Sequence, residues 1–496
     1  MVQIHPRACS KMLKVYNTLT RRIEEFKPIK DKSFIGIYNC GPTLHKFHTQ
    51  IGNLRSYVFA DFVKRYFLYK GYKVKHVIKI TDIDDHILEE SQKVGLNLGD
   101  YTKEYFEDYV SQINKMNILE PVLLPRVTDH ISEIIDSIKK LSKKKLTYIS
   151  NGSVYFRVNG ISDYGKLVNL DKRKSLMKNA QMRVKDFVWA DKENVNDFCL
   201  WKAYRPEDEA VFWDSEFGKG RPGWHIECAV ISQKYLGENF DIHIGGISHI
   251  FPHHTNEIAI AESISKKKFV NYWLHHDYLV VNEEKMSKEK GTFYTLKDII
   301  LKGYNPLVLR YVLIKTHYRQ KLNFTFGAMD LAKELLLKII TFLNSLDFVK
   351  AEKDNDFDID ALIVETEKSF IDSLENDFNI SEAMKSLIEF IKSINRNFNQ
   401  LNLDQANKIK DFVFKIDAIL GCIKPLYADY KAEMKIISEK NKLNALFEKR
   451  IFAKKEKNWE LSDKLKKQIE NCGLVVKDQD NSNQFHYELR NFKELS

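Results

Sequence analysis

Residues 34 to about 315 alternate between two kinds of segment, and this alternation constrains the fold more than any other feature of the chain. Short runs such as VKHVIKIT, FDIHIG and HDYLVV are rich in β-branched and aromatic residues, as strands are. Runs such as HTNEIAIAESISKK carry apolar residues at helical spacing. The alternation predicts an α/β fold built on a parallel sheet.

The pattern changes near residue 325, after which the periodic segments are helical. LAKELLLKIITFLNSL is followed by the acidic break AEKDNDFDID and by further helical runs, so we expect a helical bundle. From about residue 425 a Lys/Glu-rich helix leads to the polar turn DQDNSN and an aromatic tail. Because 496 residues are too many for one core, we predict three parts: 1–325, 326–425 and 426–496.

Composition excludes some classes of protein. The chain is 44% hydrophobic but has no run of about 18 apolar residues that could span a membrane. Its N-terminus lacks the apolar core of a secretory signal, and its six cysteines show no disulfide framework. We therefore expect a cytoplasmic protein that does not bind a membrane.

Positive charge is concentrated near the end of the chain. The segment from Lys431 to Glu470 contains 12 Lys or Arg against 7 Asp or Glu. Its net charge of +5 is half of the total net charge of +10. A basic helical surface of this kind favours a polyanionic partner. A solvated helical face would have the same composition, so charge alone leaves both interpretations open.

The stretch CGPTLHKFHTQIGN, residues 40–53, lies between the strand-like FIGIYN and a helical run. Strand-to-helix turns of a parallel sheet are places where ligands bind, and a helix N-terminus offers free N–H groups to phosphate. Gly41 and Gly52 would let the backbone approach such a ligand. An ordinary loop has the same composition, so other motifs must decide.

Two further motifs contain metal-ligand side chains. GRPGWHIEC ends on Cys228, and in FPHHTNE the residues His253 and Glu257 are four apart, hence on one face of a helix. Together with Cys40 they would give zinc two thiolates, an imidazole and a carboxylate. A capping histidine and a solvated glutamate would explain FPHHTNE nearly as well, so spacing alone leaves the metal open.

The segment KMSKEKG, residues 285–291, places Lys285 and Lys288 in a polar loop. Two lysines so spaced can reach phosphate oxygens as mobile point charges. Most lysine pairs in exposed loops have no such role. Here, however, the pair follows a glycine-containing strand-to-helix turn and immediately precedes the helical part of the chain.

This order of motifs resembles a class I aminoacyl-tRNA synthetase, and the details resemble the cysteinyl-tRNA synthetase family. The matching segments cover nearly the whole chain: KVYNTLTRRIEEFKP, YNCGPT, IGN, GYKVKHVIKITDIDDHI, LWKAY, GRPGWHIEC, FDIHIGG, FPHHTNEIA, KMSK and HYRQKLNFT. GRPGWHIEC and FPHHTNE are the most specific. The resemblance implies a Rossmann-like parallel-sheet catalytic domain over 1–325 with an inserted connective segment at about 120–215, then an α-helical bundle and a small C-terminal anticodon-binding unit.

The family's reaction implies the partners ATP, L-cysteine and tRNA(Cys). The cysteine carboxylate attacks the α-phosphate of ATP, pyrophosphate leaves, and the adenylate esterifies the terminal adenosine of the tRNA. One zinc ion is implied, with ligands that match Cys40, Cys228, His253 and Glu257. Zinc suits this substrate because an apolar pocket separates cysteine from serine by only about 1–3 kcal/mol, whereas a thiophilic metal prefers the thiolate.

The resemblance also assigns the residues around the two small substrates. Lys288 binds ATP with help from Lys285, usually with Mg²⁺, and the helix start at Gly52 and Asn53 forms the other wall of that site.

The amino acid contacts are assigned in the same way. Thr81 and Trp224 are placed beside the cysteine. His225 and His243 lie in matching segments and could help take the thiol proton, although core packing would also explain them.

Three departures from the family pattern need an account. The spacing from Cys40 to Ile51 is one residue longer than in CGxTVYDxxHIGN, and Gln50 occupies the place of the family's first histidine. We expect the longer turn to bring His48 into that place, with Gln50 as the alternative. IGGISH lacks the Asp of the family's GGGSD, and Phe485 with His486 replaces a Trp–Arg anticodon reader.

We expect a monomer. Two other functions share these motifs: a catalytically impaired, synthetase-like RNA-binding protein, and a cysteine ligase that acts on a small amine. The second lacks a tRNA-binding end, whereas this chain continues for about 170 residues after the α/β part.

Overall fold

The computed structural model describes residues 12–45, 50–120, 122–168, 192–286, 291–350, 357–471, 474–478 and 485–489. It divides into two compact units, Met1–Ile423 and Lys424–Ser496. Apart from residues 424 and 425, the predicted parts 1–325 and 326–425 both fall in the first unit, and their separation into domains stays a prediction.

Strands and helices alternate through the first unit and give way to helices near its end. The described strands are β1 (Lys14–Asn17), β2 (Arg22–Glu25), β3 (Ile35–Thr43), β4 (Val74–Thr81), β5 (Thr147–Ser150), β6 (Ser153–Phe156), β7 (Phe198–Ala203), β8 (Gly220–Pro222), β9 (Phe240–Gly246), β10 (Val270–His276), β11 (Leu279–Val281), β12 (Glu284–Lys285), β13 (Leu322–Phe324), β14 (Leu474–Asp478) and β15 (Phe485–Leu489). The described α-helices are α1 (Ile51–Tyr69), α2 (Asp85–Lys93), α3 (Leu98–Lys115), α4 (Ile131–Lys143), α5 (Trp224–Leu236), α6 (Thr255–Ser265), α7 (Leu296–Leu301), α8 (Pro306–Lys315), α9 (Phe326–Ser345), α10 (Ile359–Leu374), α11 (Ile380–Arg396), α12 (Leu403–Leu420), α13 (Ile423–Lys455) and α14 (Trp459–Glu470).

A parallel sheet of order β10-β9-β3-β4 forms the centre of the first unit. Helices α1 and α5 both pack against β3 and β4. Because helices cover the sheet, most residues of its strands are buried, and residues such as Ile37 and Ile244 are completely buried. The predicted α/β fold with a parallel sheet is confirmed.

The strand order creates a crevice at the carboxyl ends of β3 and β9. The chain leaves β3 through α1 toward β4 on one side, and leaves β9 through α6 toward β10 on the other. Neighbouring strands whose connections diverge in this way mark the ligand-binding point of an open parallel sheet. The crevice therefore brings the segment that begins at Cys40 close to the segment that follows Gly246.

Two smaller sheets flank this region. Strands β5 to β8 form an antiparallel sheet. Its first three strands fall within the predicted inserted segment, about 120–215, and β8 lies just beyond it. Strand β11 pairs with both β12 and β13. The β12 strand ends at Lys285, so this small sheet holds the start of the lysine loop at the crevice.

The chain after β13 is helical, as predicted. Thr325 caps α9 through its side chain, and Asn402 forms a capping box with Gln405 at the start of α12. Such side chains satisfy backbone N–H groups that have no partner within the helix. At the other end of α12, Gly421 adopts a left-handed conformation with φ of 70°.

A buried charge network joins α1 to α8. Asp61 lies between Arg65, whose Nε is 2.7 Å away, and Arg310, whose Nη2 is 2.5 Å away. Arg310 also donates to the carbonyl of Leu420 at 2.7 Å, which ties α8 to the end of α12. Burial opposes ionisation of Asp61, but the two guanidinium groups hold its pKa below the usual range.

The second unit contains most of α13, together with α14 and the antiparallel hairpin of β14 and β15. Ile469 of α14 is fully buried against Leu443, Leu446 and Phe447 of α13. Arg450 is also buried and donates to the carbonyl of Ser462. In the described part of the chain, no helix is both long enough and apolar enough to cross a bilayer.

Candidate active site and metal centre

Four metal-ligand side chains from distant parts of the sequence meet at the end of β3. Cys40 comes from β3, Cys228 from α5, His253 from the turn before α6, and Glu257 from the first turn of α6. The Cys40 and Cys228 sulfurs are 3.6 Å apart, and His253 Nε2 is 3.3 and 3.4 Å from them. Glu257 Oε1 lies 2.9 Å from His253 Nε2 and 3.8 Å from the Cys40 sulfur.

The sulfur and nitrogen separations fit a tetrahedral zinc ion. Zinc–sulfur bonds of about 2.3 Å and zinc–nitrogen bonds of about 2.0 Å place two sulfur ligands about 3.8 Å apart, and a sulfur and a nitrogen about 3.5 Å apart. The sulfur–sulfur and sulfur–nitrogen distances lie within about 0.2 Å of these values. Two thiolates, an imidazole and a carboxylate are also donors that zinc accepts.

Each non-sulfur member of the quartet is held by a second histidine. His225 Nδ1 lies 2.9 Å from His253 Nδ1, and His243 Nε2 lies 2.8 Å from Glu257 Oε2. All four side chains are buried. Partners of this kind fix the orientation of metal ligands. His225 and His243 do not line the cleft described below, so the structure places them behind the quartet.

The ionisation of the quartet depends on its buried neighbours. Burial opposes ionisation of Cys228, but the hydrogen bond from Cys40 and the Lys79 ammonium lower its pKa. The pKa of Cys40 is raised, first by that same bond and then by burial. Burial lowers the pKa of His253, yet Glu257 and Cys228 raise it more, to about 9. A metal that binds here must therefore displace protons.

A second donor set shares part of this cluster. Cys40, His243, His254 and Glu257 also have one ligand atom each within 4.8 Å of the others. Within the described structure, His243 Nδ1 and His254 Nε2 are buried without a hydrogen-bond partner. This set contains one thiolate instead of two, and it was not anticipated from the sequence.

A cleft of about 360 Å³ opens beside Cys40 at the carboxyl ends of the central strands. The residues that sequence analysis assigned to the two small substrates line it wherever they are described: Gln50, Gly52, Asn53, Thr81, Trp224 and Lys285. His48 and Lys288 lie outside the described residues. The choice between His48 and Gln50 therefore stays a prediction.

Backbone contacts join the start of α1 to the segment that follows the lysine loop. Gln50 forms a β-bridge with Thr295, and the N–H of Ile51 donates to the carbonyl of Tyr294 at 3.0 Å. The Gln50 amide nitrogen is 3.4 Å from Asn53 Oδ1, so its side chain turns toward the helix start. The two sides of the predicted ATP site are thus tied together.

Gly41, at the end of β3, and Gly52, at the start of α1, both have other protein atoms close to the position that a side chain would occupy. A Cβ on Gly41 would lie 1.9 Å from the carbonyl oxygen of Lys79, where β3 and β4 shift register. A Cβ on Gly52 would lie 2.7 Å from the terminal methyl of Met286. Close approach of β4 thus gives a structural reason for Gly41, and because Gly41 also lines the cleft, the approach of a ligand to its backbone stays a prediction.

Trp224 covers the metal quartet where the quartet adjoins the cleft. Its ring stacks on His253 with centroids 4.1 Å apart, and 47% of the residue remains exposed. Trp224 thus contacts the candidate metal ligand His253 and also lines the cleft.

Sequence analysis missed a buried ion pair beside Thr81. Lys79 Nζ lies 2.7 Å from Glu227 Oε2 and 2.6 Å from Thr81 Oγ1. Burial lowers the pKa of Lys79, but Cys228 and Glu227 outweigh it, so the pKa is raised. Burial also raises the pKa of Glu227 to about 7, against the effect of Lys79. Lys79 therefore stays protonated at neutral pH. The sequence signal that could have indicated this pair was Lys79, a charged residue inside the strand-like run VKHVIKIT.

Comparison with known proteins identifies the family. The sequence model described as tRNA synthetases class I (C) catalytic domain matches residues 25–334, and the DALR domain model matches residues 369–424. A cysteine–tRNA ligase of Brachyspira hyodysenteriae is 43% identical over 470 residues, 93% of this chain and 97% of the relative. The chain belongs to the cysteine–tRNA ligase family.

Other relatives agree with this assignment. The cysteine–tRNA ligase of Protochlamydia amoebophila is 38% identical over 473 residues, 94% of this chain and 96% of the relative. Solved structures share the fold: the LeuRS–tRNA–LeuAMS ternary complex of Agrobacterium radiobacter K84 gives a TM-score of 0.58 at 10% identity, covering 81% of this chain and 86% of LeuRS. Methionyl-tRNA synthetase of Mycobacterium tuberculosis with methionyl-adenylate gives 0.54 at 14% identity, covering 78% and 90%.

The family assignment confirms the predicted resemblance and makes the chain a ligase of the class I tRNA synthetases. It also accounts for the helical region, since the DALR domain match falls within α10 to α12 and the start of α13.

Proposed function

We propose that this cysteine–tRNA ligase activates L-cysteine with ATP and transfers it to the 3′ end of tRNA(Cys). The observation that carries the proposal is the position of the quartet: Cys40 belongs both to the metal-ligand cluster and to the wall of the cleft. An amino acid in the cleft can therefore bring its side chain to the metal centre.

The residues that would hold zinc are Cys40, Cys228, His253 and Glu257. We favour this set over the one with His243 and His254 because it has two thiolates and because His225 and His243 then orient its other two ligands. When bound, zinc supplies a thiophilic Lewis acid that distinguishes the thiol of cysteine from the hydroxyl of serine.

Adenylate formation requires positioning instead of a protein nucleophile. Thr81 and Trp224 hold the cysteine beside the metal centre. The N-terminus of α1, at Gly52 and Asn53, lines the same cleft, and the positive end of its helix dipole faces the phosphates of ATP. Both substrates then lie in one cleft, with the carboxylate directed at the α-phosphate.

Charge that develops on the phosphate oxygens must be stabilised by cations and hydrogen-bond donors. Lys288 fills this role with help from Lys285 and from Mg²⁺ bound with ATP. We expect His48 to contribute from the longer first turn, with Gln50 as the neutral alternative. Lys285 and Gln50 line the same cleft, which supports a shared target.

The remaining parts bind tRNA(Cys). The basic α13 and α14 helices offer a surface to the phosphate backbone, and the tail with Phe485 and His486 approaches the anticodon. The side chains of this tail are not described, so anticodon reading rests on the resemblance. We propose that the enzyme acts as a cytoplasmic monomer.

ATP–pyrophosphate exchange tests the activity. Purified protein should exchange label between pyrophosphate and ATP only when cysteine is present, with serine as the matched control. No cysteine-dependent exchange would favour the impaired RNA-binding relative. Transfer of labelled cysteine should then require tRNA(Cys), and transfer to a small amine without tRNA would favour the amine ligase.

A further inference from the structure

Lys79 lies beside the metal quartet without belonging to it. In the parallel pairing of β3 with β4, Lys79 is the direct partner of Cys40. Side chains alternate along a strand, so Lys79 and Thr81 point to the same face of β4. Helix α5 covers that face and brings Glu227, the neighbour of Cys228, into contact with Lys79. The strand register therefore places Lys79 next to Cys40 of the quartet, with its ammonium group in contact with Thr81.

The contacts of Lys79 determine how the Thr81 hydroxyl can act. The ammonium donates to Thr81 Oγ1 at 2.6 Å and to Glu227 Oε2 at 2.7 Å. Lys79, Thr81 and Glu227 are each at most 3% exposed. A hydroxyl has one proton to donate, and a lysine ammonium can only donate. Thr81 must accept from Lys79, so its own proton is directed elsewhere.

The cleft is the place where that proton can find an acceptor. Thr81 lines the cleft, and no described residue accepts a hydrogen bond from its hydroxyl. Buried hydroxyl groups normally have a partner. A bound ligand that presents an oxygen lone pair would supply it, whereas an ammonium group of the ligand would meet the hydroxyl proton unfavourably.

We propose that Lys79, anchored by Glu227, is a positioning residue that fixes Thr81 as a hydrogen-bond donor to the carboxylate of the bound cysteine. The inference rests on the proposed function, because it takes cysteine as the ligand of this cleft. It adds the orientation of the substrate: the carboxylate faces Thr81 while the thiol faces the quartet.

The test compares Lys79→Met with wild type in cysteine-dependent ATP–pyrophosphate exchange. Loss of a hydrogen bond to a charged group should raise the KM for cysteine about 10- to 100-fold, with the KM for ATP unchanged. Cysteamine, which has the thiol and amine but no carboxylate, should inhibit both proteins with the same constant. Bound zinc should also stay the same.

A double-variant comparison separates positioning from a general structural role. Thr81→Val should reproduce the effect, and Lys79→Met should add little in a Thr81→Val background. Thr81→Ser, which keeps the hydroxyl, should recover most of the affinity for cysteine that Thr81→Val loses. If Lys79→Met does not fold, the double variant Lys79→Met with Glu227→Leu carries the same comparison, since it removes both buried charges of the pair together.

Three results would overturn the inference: an unchanged KM for cysteine, equal weakening of cysteine and cysteamine, or additive effects of the two substitutions. Failure of the proposed function looks different, because wild-type protein itself would then show no cysteine-dependent exchange.

Discussion

Replacement of His243 by Phe should weaken zinc binding without removing it. His243 Nε2 is 2.8 Å from Glu257 Oε2, and both side chains are completely buried. A hydrogen bond to a buried carboxylate is worth about 1.5–3 kcal/mol, and loss of an outer partner of a metal ligand typically lowers affinity about 10- to 100-fold. Phe preserves the stacking of the ring on Trp273, whose centroid is 4.5 Å away.

His225→Phe provides the matched second variant. It removes the partner of His253 Nδ1 while keeping a ring against Phe198, so it should lower zinc affinity by a similar factor. His130→Phe is the control, since His130 is buried but bonded to the Arg126 carbonyl and the Tyr235 hydroxyl. Zinc affinity is measured by competition with a chromogenic chelator.

The pair of variants distinguishes the two donor sets. If zinc bound Cys40, His243, His254 and Glu257, then His243→Phe would abolish binding and His225→Phe would have no effect. If neither variant changed zinc affinity while both remained folded, the quartet would not be the metal site.

The remaining predictions concern the ATP site, pH and stability. Lys288→Ala should slow adenylate formation severely in single-turnover kinetics but leave cysteine affinity nearly unchanged. His48→Ala should lower the exchange rate at least about tenfold, or 1.4 kcal/mol, and Gln50→Ala less; the reverse order would assign the role to Gln50. Zinc affinity should rise with pH up to about 9, because the raised pKa of His253 requires zinc to displace its proton; calorimetry in buffers of different ionisation enthalpy counts the protons. Asp61→Asn should lower the free energy of unfolding in urea by about 3 kcal/mol or more, since two buried guanidinium groups lose their counter-charge.

Much of the fold could be predicted because its signals are local. Apolar runs in VKHVIKIT and FDIHIG become β4 and β9, and the helical spacing after IGN becomes α1. Spacing alone left the metal site open, and the family resemblance was needed to group Cys40, Cys228, His253 and Glu257, which lie far apart in the sequence. Their distances, and the second donor set through His243 and His254, required the structure.

Other features depend on packing that the sequence does not display. Lys75 and Lys79 share one face of β4, yet Lys75 is partly exposed while Lys79 is buried under α5 against Glu227. Periodicity treats these two lysines alike. The close approach of β4 to Gly41 was not predicted either, because strand register is a tertiary property.

We infer that the quartet holds zinc and that this zinc is needed to select cysteine. The most direct measurement follows zinc content and cysteine-dependent ATP–pyrophosphate exchange on the same samples during chelation, with Cys228→Ser alongside. Exchange should fall in proportion to bound zinc, return when zinc is restored, and be absent together with the metal in Cys228→Ser. Zinc-free protein that activates cysteine at the full rate would contradict the account.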